Sequence, residues 1–315
     1  MKLVFDKAIP FLAEAVRASW QEVECVAMEG EAITPQAVRD ADVLVVRTRT
    51  QVNKALLDGS KVRLVCTATI GFDHLDTHYL DEAGIAWSAC PGCNAQAVCD
   101  YVREVLEEYD QFDLRCPKPL SIGVVGVGHV GSLVAQMAER RGMNVLLCDP
   151  PKNIGVSLDV IARNSDIITF HTPLTRDGKY PTYHLCDSSF LAKTKATVLI
   201  VNAARGGVVD EAAIRMAKRN CVIDTWENEP TIDKQTLAHA WRASMHIAGY
   251  SLEGKRNATQ MCLDRIAEAF GLPRLSIPVT ASNGDTGKDW LERISRQLKA
   301  EPDAFESLRK TYVLR

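Results

Sequence analysis

Residues 121–131 read SIGVVGVGHVG, and no other stretch so narrows the folds open to this chain. An apolar run that ends on Gly126, Gly128 and Gly131 and passes into the helical pattern LVAQMAERRG is a strand, a tight turn and a helix. Each glycine then serves a separate purpose. The first permits the turn, the second lets an anion approach the backbone, and the third lets helix and strand pack closely. The amides of His129 and Val130 open the helix, where a pyrophosphate would sit. The next apolar run, NVLLCD, ends on Asp149, 18 residues after Gly131, the place for a carboxylate that binds the ribose hydroxyls of a dinucleotide. An acid there favours NAD, because it repels the 2′-phosphate of NADP.

Around this unit, short apolar runs alternate with helical patterns nearly throughout, which predicts an α/β protein with parallel sheets. In the first part strands are expected at 2–5, 23–28, 43–46, 63–68 and 85–88, with helices at 10–19, 34–40 and 53–57. A second set of strands is expected at 121–125, 144–148, 166–170, 197–201, 221–224 and 245–247. A helix from Ala95 to about Tyr109 and the polar break RCPKP at 115–119 separate the two sets. At 315 residues the chain is long enough for two domains with cores of their own. The expectation is therefore two doubly wound parallel-sheet domains: a flavodoxin-like substrate domain over 1–95 and a Rossmann NAD-binding domain over 96–271 including crossing helices, of which one at 253–270 could carry the chain back to the first domain. A short C-terminal segment, 272–315, is left for dimerisation or for packing on the substrate domain. Within it, SNGDTG at 282–287 reads as a loop before a helix at 288–298.

Composition excludes several classes. Lys and Arg number 37 against 40 Asp and Glu, a net charge of −3, which lacks the basic footprint of a nucleic-acid binder. Asp6 and Lys7 interrupt what would be the apolar core of a signal peptide. The uncharged stretch 119–138 has membrane-spanning length but is broken by four glycines, so no membrane span is expected. Most of the ten cysteines sit in hydrophobic runs, as in a reduced cytoplasmic protein that uses cysteine as a small apolar residue. Cys90-Pro-Gly-Cys93 has the spacing of a zinc or redox pair, but no second such pair follows it, and no metal is expected.

Ligands of an open parallel sheet gather at the carboxyl ends of its strands. After the later strands come HTPL at 171–174, NAARGG at 202–207, DTWENEP at 224–230 and HIAGY at 246–250. An arginine, a glutamate and a histidine thus converge on one edge beside a dinucleotide turn. Hydride transfer between NAD and a 2-hydroxy acid asks for those side chains. Arg205 suits the substrate carboxylate, which a guanidinium holds by paired hydrogen bonds. His246 suits exchange of the hydroxyl proton, and Glu229 would fix its tautomer and favour the charged imidazole.

NAARGGVVDE, DTWENEP and HIAGY resemble the arginine, glutamate and histidine segments of the D-isomer-specific 2-hydroxyacid dehydrogenases. CTATIGFDHLD (66–76), PGCNAQAV (91–98), LLCDPPK (146–152), FHTPLTRDG (170–178) and HIAGYSLEGK (246–255) resemble a branch of that family whose substrate carries a phosphate. The likeness covers most of residues 1–270, and HIAGYSLEGK is its most specific part. It implies NAD-linked oxidation of a small phosphorylated 2-hydroxy acid in a homodimer, with Arg205, Glu229 and His246 catalytic. It further implies that Asp149, Thr172, Asp224 and Gly249 contact NAD and that Thr48, Thr69 and Tyr250 contact substrate. A phosphate calls for cations as well, and Arg47, Arg49 and Lys255 are the candidates. Two other readings fit the same residues: a dehydrogenase of another small D-2-hydroxy acid, such as glycerate or 3-phosphoglycerate, and a regulatory protein that senses NAD. The chain departs from the family in its last 44 residues, shorter than the expected dimerisation domain although FESLRKTYVLR resembles part of it. The connection after Asp149 and the turn at 218–222 are also shortened.

Overall fold

The computed structural model of the chain describes residues 1–112, 119–279 and 289–314. It divides into two compact units, Met1–Asn94 with Ser251–Ser282 and Ala95–Tyr250 with Asn283–Arg315.

The first unit holds five strands: β1 (Lys2–Asp6), β2 (Glu24–Met28), β3 (Val43–Val46), β4 (Leu64–Thr67) and β5 (Ala86–Ser88). All pair in parallel, in the order β2-β1-β3-β4-β5, the flavodoxin-like arrangement. Side chains alternate across a strand, so each face of the sheet buries its own half of the apolar residues. Leu3, Phe5, Val43, Val45, Leu64 and Cys66 face one way and meet Leu12 and Val16 of the helix Leu12–Ser19. Val4, Leu44, Val46 and Val65 face the other and meet Val38, Leu56, Leu57 and Leu80. Leu80 belongs to a helix, Thr77–Glu82, that the polar sequence THYLDE did not announce; Asp76 caps it by accepting the Tyr79 amide.

The second unit holds seven strands: β6 (Ser121–Val125), β7 (Asn144–Asp149), β8 (Ile154–Gly155), β9 (Ile167–Phe170), β10 (Leu199–Asn202), β11 (Asn220–Ile223) and β12 (Arg242–Ala243). Their order is β12-β11-β10-β9-β6-β7-β8, so the winding reverses between β6 and β9. That switch point is where a doubly wound sheet receives its dinucleotide. The shortened connection after Asp149 leaves the third strand of the winding as the two-residue β8, which pairs antiparallel to β7.

Three expectations need correction. The helix Leu252–Phe270 belongs to the first unit, because Ala258, Cys262, Leu263, Ile266 and Ala267 bury into the core beside β3 and β4. The C-terminal helices Trp290–Ala300 and Phe305–Thr311 belong to the second unit: Trp290, Leu291, Leu298, Phe305 and Leu308 join its core. They also close the β12 end of the sheet, where Ala243 N donates to Ser295 Oγ at 3.0 Å and Arg242 pairs with Glu108 and Glu292. Finally, the apolar run 245–247 is not a strand. Pairing with β11 stops at Ala243, and His246 stands in the left-handed region at φ 58°. The expected loop at 282–287 lies outside the described residues.

Candidate active site

The glycine turn after β6 has the shape that its spacing predicted. Gly126 sits at φ 89°, and a Cβ there would lie 2.7 Å from the His171 carbonyl oxygen. A Cβ on Gly131 would lie 1.9 Å from the Gly126 carbonyl oxygen, so helix and strand could not approach as they do. Gly128 is different, since a Cβ there would meet no protein atom within 4 Å. Packing within the chain does not require that glycine, whereas a phosphate lying against the backbone does. His129 and Val130 follow as the first residues of the helix His129–Arg140. At the end of β7, the nearly buried Asp149 accepts the Val127 amide with Oδ2 at 2.8 Å. Its Oδ1 takes no hydrogen bond among the described residues, which suits it to a ribose hydroxyl. Lys152 donates to the Val127 carbonyl at 2.8 Å and lies 3.8 Å from Asp149. Thr172 Oγ1, after β9, is buried without a hydrogen-bond partner among the described residues. These features fit a dinucleotide.

The triad residues stand on the turns after β10, β11 and β12. Arg205 is exposed; its Nη1 donates to the Ala204 carbonyl at 2.8 Å, and no carboxylate pairs with it among the described residues. Glu229 Oε1 accepts the Trp226 amide at 2.7 Å, and its Oε2 lies 2.8 Å from His246 Nδ1. The carboxylate makes Nδ1 the protonated nitrogen and leaves Nε2, which has no partner among the described residues, for exchange with a ligand. A second histidine near the glycine turn, His171, bonds Thr169 Oγ1 through Nε2, and burial pushes its imidazole down to about 3. It is neutral over the working pH range and unsuited to carrying a proton.

Sequence reading did not anticipate how these turns are fixed. Asn202, 2% exposed, donates from Nδ2 to the carbonyls of Arg205 at 3.0 Å and Thr225 at 3.2 Å, so one amide ties the arginine turn to the glutamate turn. Asp224, 1% exposed, accepts Ser244 Oγ and the Ile247 amide with Oδ1 and the Ala248 amide with Oδ2, at 2.6, 2.8 and 3.0 Å. The His246 amide donates to the Asp224 carbonyl at 2.8 Å. Asp224, expected to contact NAD, thus fixes the backbone that carries His246 and Gly249, and that grip holds His246 in its left-handed conformation. An acid directly after an apolar strand was the visible signal, but its internal partners were not. Tyr250 ends the same turn, its amide donating to Ile247, and the Arg309 guanidinium lies 5.5 Å from its ring centre.

The first unit presents its candidates at the carboxyl ends of β3 and β4. Arg47 reaches the Ala8 carbonyl at 3.4 Å, Thr48 is exposed, and Arg49 pairs with Glu31 at 2.8 Å on the surface. Thr69 Oγ1 donates to the Gly71 carbonyl at 2.7 Å and lies 2.6 Å from Thr67 Oγ1, which in turn lies 2.9 Å from Nε2 of the buried His74. Lys255 stands in the first turn of the helix Leu252–Phe270, and burial, followed by the Arg47 charge, holds its ammonium below the ordinary lysine range. The Arg47 charge therefore reaches Lys255. Cys90 is buried in the core, with Sγ 3.7 Å from that of Cys262, and burial pushes the Cys93 thiol up to about 12.

Comparison with known proteins points the same way. Residues 98–248 match the D-isomer specific 2-hydroxyacid dehydrogenase, NAD binding domain family. The whole chain is 41% identical to erythronate-4-phosphate dehydrogenase of Bacteroides thetaiotaomicron, of which it covers 97%. It is also 41% identical, over 96% of its length, to the enzyme of that name from Pseudomonas fluorescens, of which it covers 80%. Among solved structures, the fold is that of NAD+-bound 3-phosphoglycerate dehydrogenase from Entamoeba histolytica, with a TM-score of 0.69, 20% identity and coverage of 89% of this chain and 99% of that one. It is equally that of the NAD complex of a D-isomer specific 2-hydroxyacid dehydrogenase from Lactobacillus delbrueckii, with a TM-score of 0.67, 19% identity and coverage of 88% and 100%.

Proposed function

The chain belongs to the D-isomer specific 2-hydroxyacid dehydrogenases, and from that premise we propose that its substrate is 4-phospho-D-erythronate, oxidised to the 2-oxo acid in pyridoxal phosphate biosynthesis. The names of its relatives at about 40% identity over the full chain support that substrate. One observation carries the chemistry: Glu229 holds His246 through Nδ1 at 2.8 Å and leaves Nε2 for the reacting hydroxyl.

Held at the glycine turn and Asp149, NAD would supply the hydride acceptor for C2 of the hydroxy acid. His246 Nε2 takes the hydroxyl proton, and the resulting imidazolium is neutralised by Glu229 across the Nδ1 bond. That proton transfer is worth on the order of 10² to 10⁴ in rate. Arg205, without an acidic partner among the described residues, pairs with the substrate carboxylate and draws charge from C2 as the carbonyl forms. Gly126, Gly128, His129, Val130 and Gly131 cradle the pyrophosphate, Asp149 binds the ribose, and Thr172 and Gly249 line the remainder of the cofactor, Gly249 on the backbone that Asp224 fixes. Thr48, Thr69 and Tyr250 are the proposed substrate contacts. Arg47 and Lys255, two cations of the first unit, take the phosphate. A cytoplasmic homodimer is the form we propose, on the family resemblance and on cysteines placed in apolar runs. Separately, no helix among the described residues is long and apolar enough to cross a membrane.

The test is NADH absorbance with 4-phospho-D-erythronate beside D-erythronate, D-glycerate and 3-phospho-D-glycerate, with product removed to pull the equilibrium. Selective turnover of the first supports the assignment. Turnover of another acid alone replaces the substrate, and NAD binding without turnover favours a sensor. Sedimentation showing only a 34.7 kDa species would overturn the dimer.

A further inference from the structure

Behind the glutamate turn lies a carboxylate that the chemistry above does not use. Glu211 opens the helix Glu211–Met216 and is 6% exposed, and no cation pairs with it among the described residues. Its Oε1 accepts the Glu227 amide at 2.6 Å. Glu227 Oε1 returns the contact by accepting the Glu211 amide at 3.4 Å, and it lies 3.1 Å from His184 Nε2. The clasped backbone is the one that bears Glu229, since the Trp226 amide holds Glu229 Oε1. On its other side the turn rests against the arginine loop, where a Cβ at Gly206 would lie 1.9 Å from the Trp226 carbonyl oxygen. An unpaired buried carboxylate is a costly way to satisfy one amide, and such a cost persists where function depends on it.

We propose that Glu211 is a positioning residue for proton transfer: by holding the Glu227 amide it fixes the turn that presents Glu229 to His246. This inference rests on the dehydrogenase reading of the His246 and Glu229 pair. Its acceptor strength also changes in the working pH range. Burial, with the carboxylates of Glu227, Asp233 and Glu229 adding to it, pushes the Glu211 carboxyl up to about 7. Of the groups around it, Asp233 is itself paired with Arg215, His184 lies between Asp210 and Glu227, and the thiol of Cys221 is buried nearby. Protonation of Glu211 weakens its hold on the amide, so the glutamate turn loosens as pH falls through that value.

Glu211→Gln keeps an acceptor but cannot ionise, whereas Glu211→Ala removes the acceptor. The first readout needs no substrate: the ring nitrogen shifts of His246, followed by NMR from about pH 5.5 to 9 in wild type and Glu211→Gln. A secondary inflection near pH 7 in wild type that vanishes in the glutamine variant is expected, and superimposable curves would overturn the proposal. The second readout is turnover. Glu211→Ala is expected to lose on the order of tenfold to a hundredfold in kcat with KM for NAD unchanged, and Glu211→Gln, which mimics the protonated form, to recover part of it and to match wild type most closely below about pH 7. Wild-type turnover in Glu211→Ala, or a folded Glu211→Gln as slow as the alanine variant, would also overturn it. If wild type fails on every hydroxy acid, the dehydrogenase reading falls while the NMR comparison still decides whether Glu211 governs His246. If the alanine variant does not fold, the glutamine variant still settles the matter.

Discussion

The two units hold their candidate residues in opposite ways. In the second, His246, Glu229 and the Arg205 turn are fixed by buried groups: Asp224 takes three donors, Asn202 bridges two turns and Glu229 spends one oxygen on the Trp226 amide. In the first, Arg47 has a long contact to one carbonyl, Thr48 is exposed and Arg49 is tied to a surface acid. Proton and hydride transfer depend on placement to within a fraction of an ångström, so braced groups suit the chemistry proposed for them. A phosphate is held by charge, whose attraction falls off gradually with distance, and flexible cations suffice. The contrast predicts that substitutions in the second unit act on kcat and those in the first on KM.

The largest effect should come from His246→Ala, a loss of about 10² to 10⁴ in kcat with NAD affinity retained in a fluorescence titration. Retained turnover would remove the proton-transfer assignment. Asp224→Asn comes next. It turns one acceptor toward an amide as a donor, so it should destabilise the fold by about 1–3 kcal/mol in urea unfolding and also lower kcat. A loss of NAD affinity with kcat intact would instead make Asp224 a cofactor contact and weaken the contrast. In the first unit, Arg47→Ala and Lys255→Ala should raise KM for the phosphorylated acid about tenfold each and leave kcat and the unphosphorylated acid untouched. Arg49→Ala, which breaks only an exposed pair, should change neither. A separate effect, on stability alone, concerns Glu211→Gln. The folded chain binds its proton more tightly than the unfolded one, so its contribution to stability is present below about pH 4.5 and lost as pH rises toward about 7. Glu211→Gln should therefore gain on wild type by about 2–4 °C in Tm between pH 5 and pH 8, and a constant difference would contradict the raised value.

Much of this was legible before any coordinates. Parallel strands such as Val43–Val46 and Leu199–Asn202 are continuous apolar runs because both faces of the sheet are covered, and such runs stand out. Arg205 and Glu229 were legible as candidates because each follows such a run, whereas His246 was legible within the run 245–247, which is not a strand. The failures share a cause, which is that tertiary contacts decided what local pattern could not. Met245–Ile247 is apolar enough for a strand, but Asp224 claims the amides of Ile247 and Ala248. The helix Leu252–Phe270 has the same pattern whichever unit it joins, and only the fit of Ala258 and Cys262 into the first core decides. Glu211 and Asn202 read as ordinary polar residues, because nothing in a linear sequence shows which distant amide or carbonyl a side chain will meet.

The left-handed backbone at His246 sets stability and use against each other at one position. Glycine adopts that conformation without strain, while a side chain there costs on the order of 1–3 kcal/mol. Selection for heat resistance alone, blind to turnover, would therefore replace this histidine with glycine. In a lineage that no longer needed the reaction, position 246 should be among the first to drift, and a glycine there would mark the point at which the reaction stopped being used.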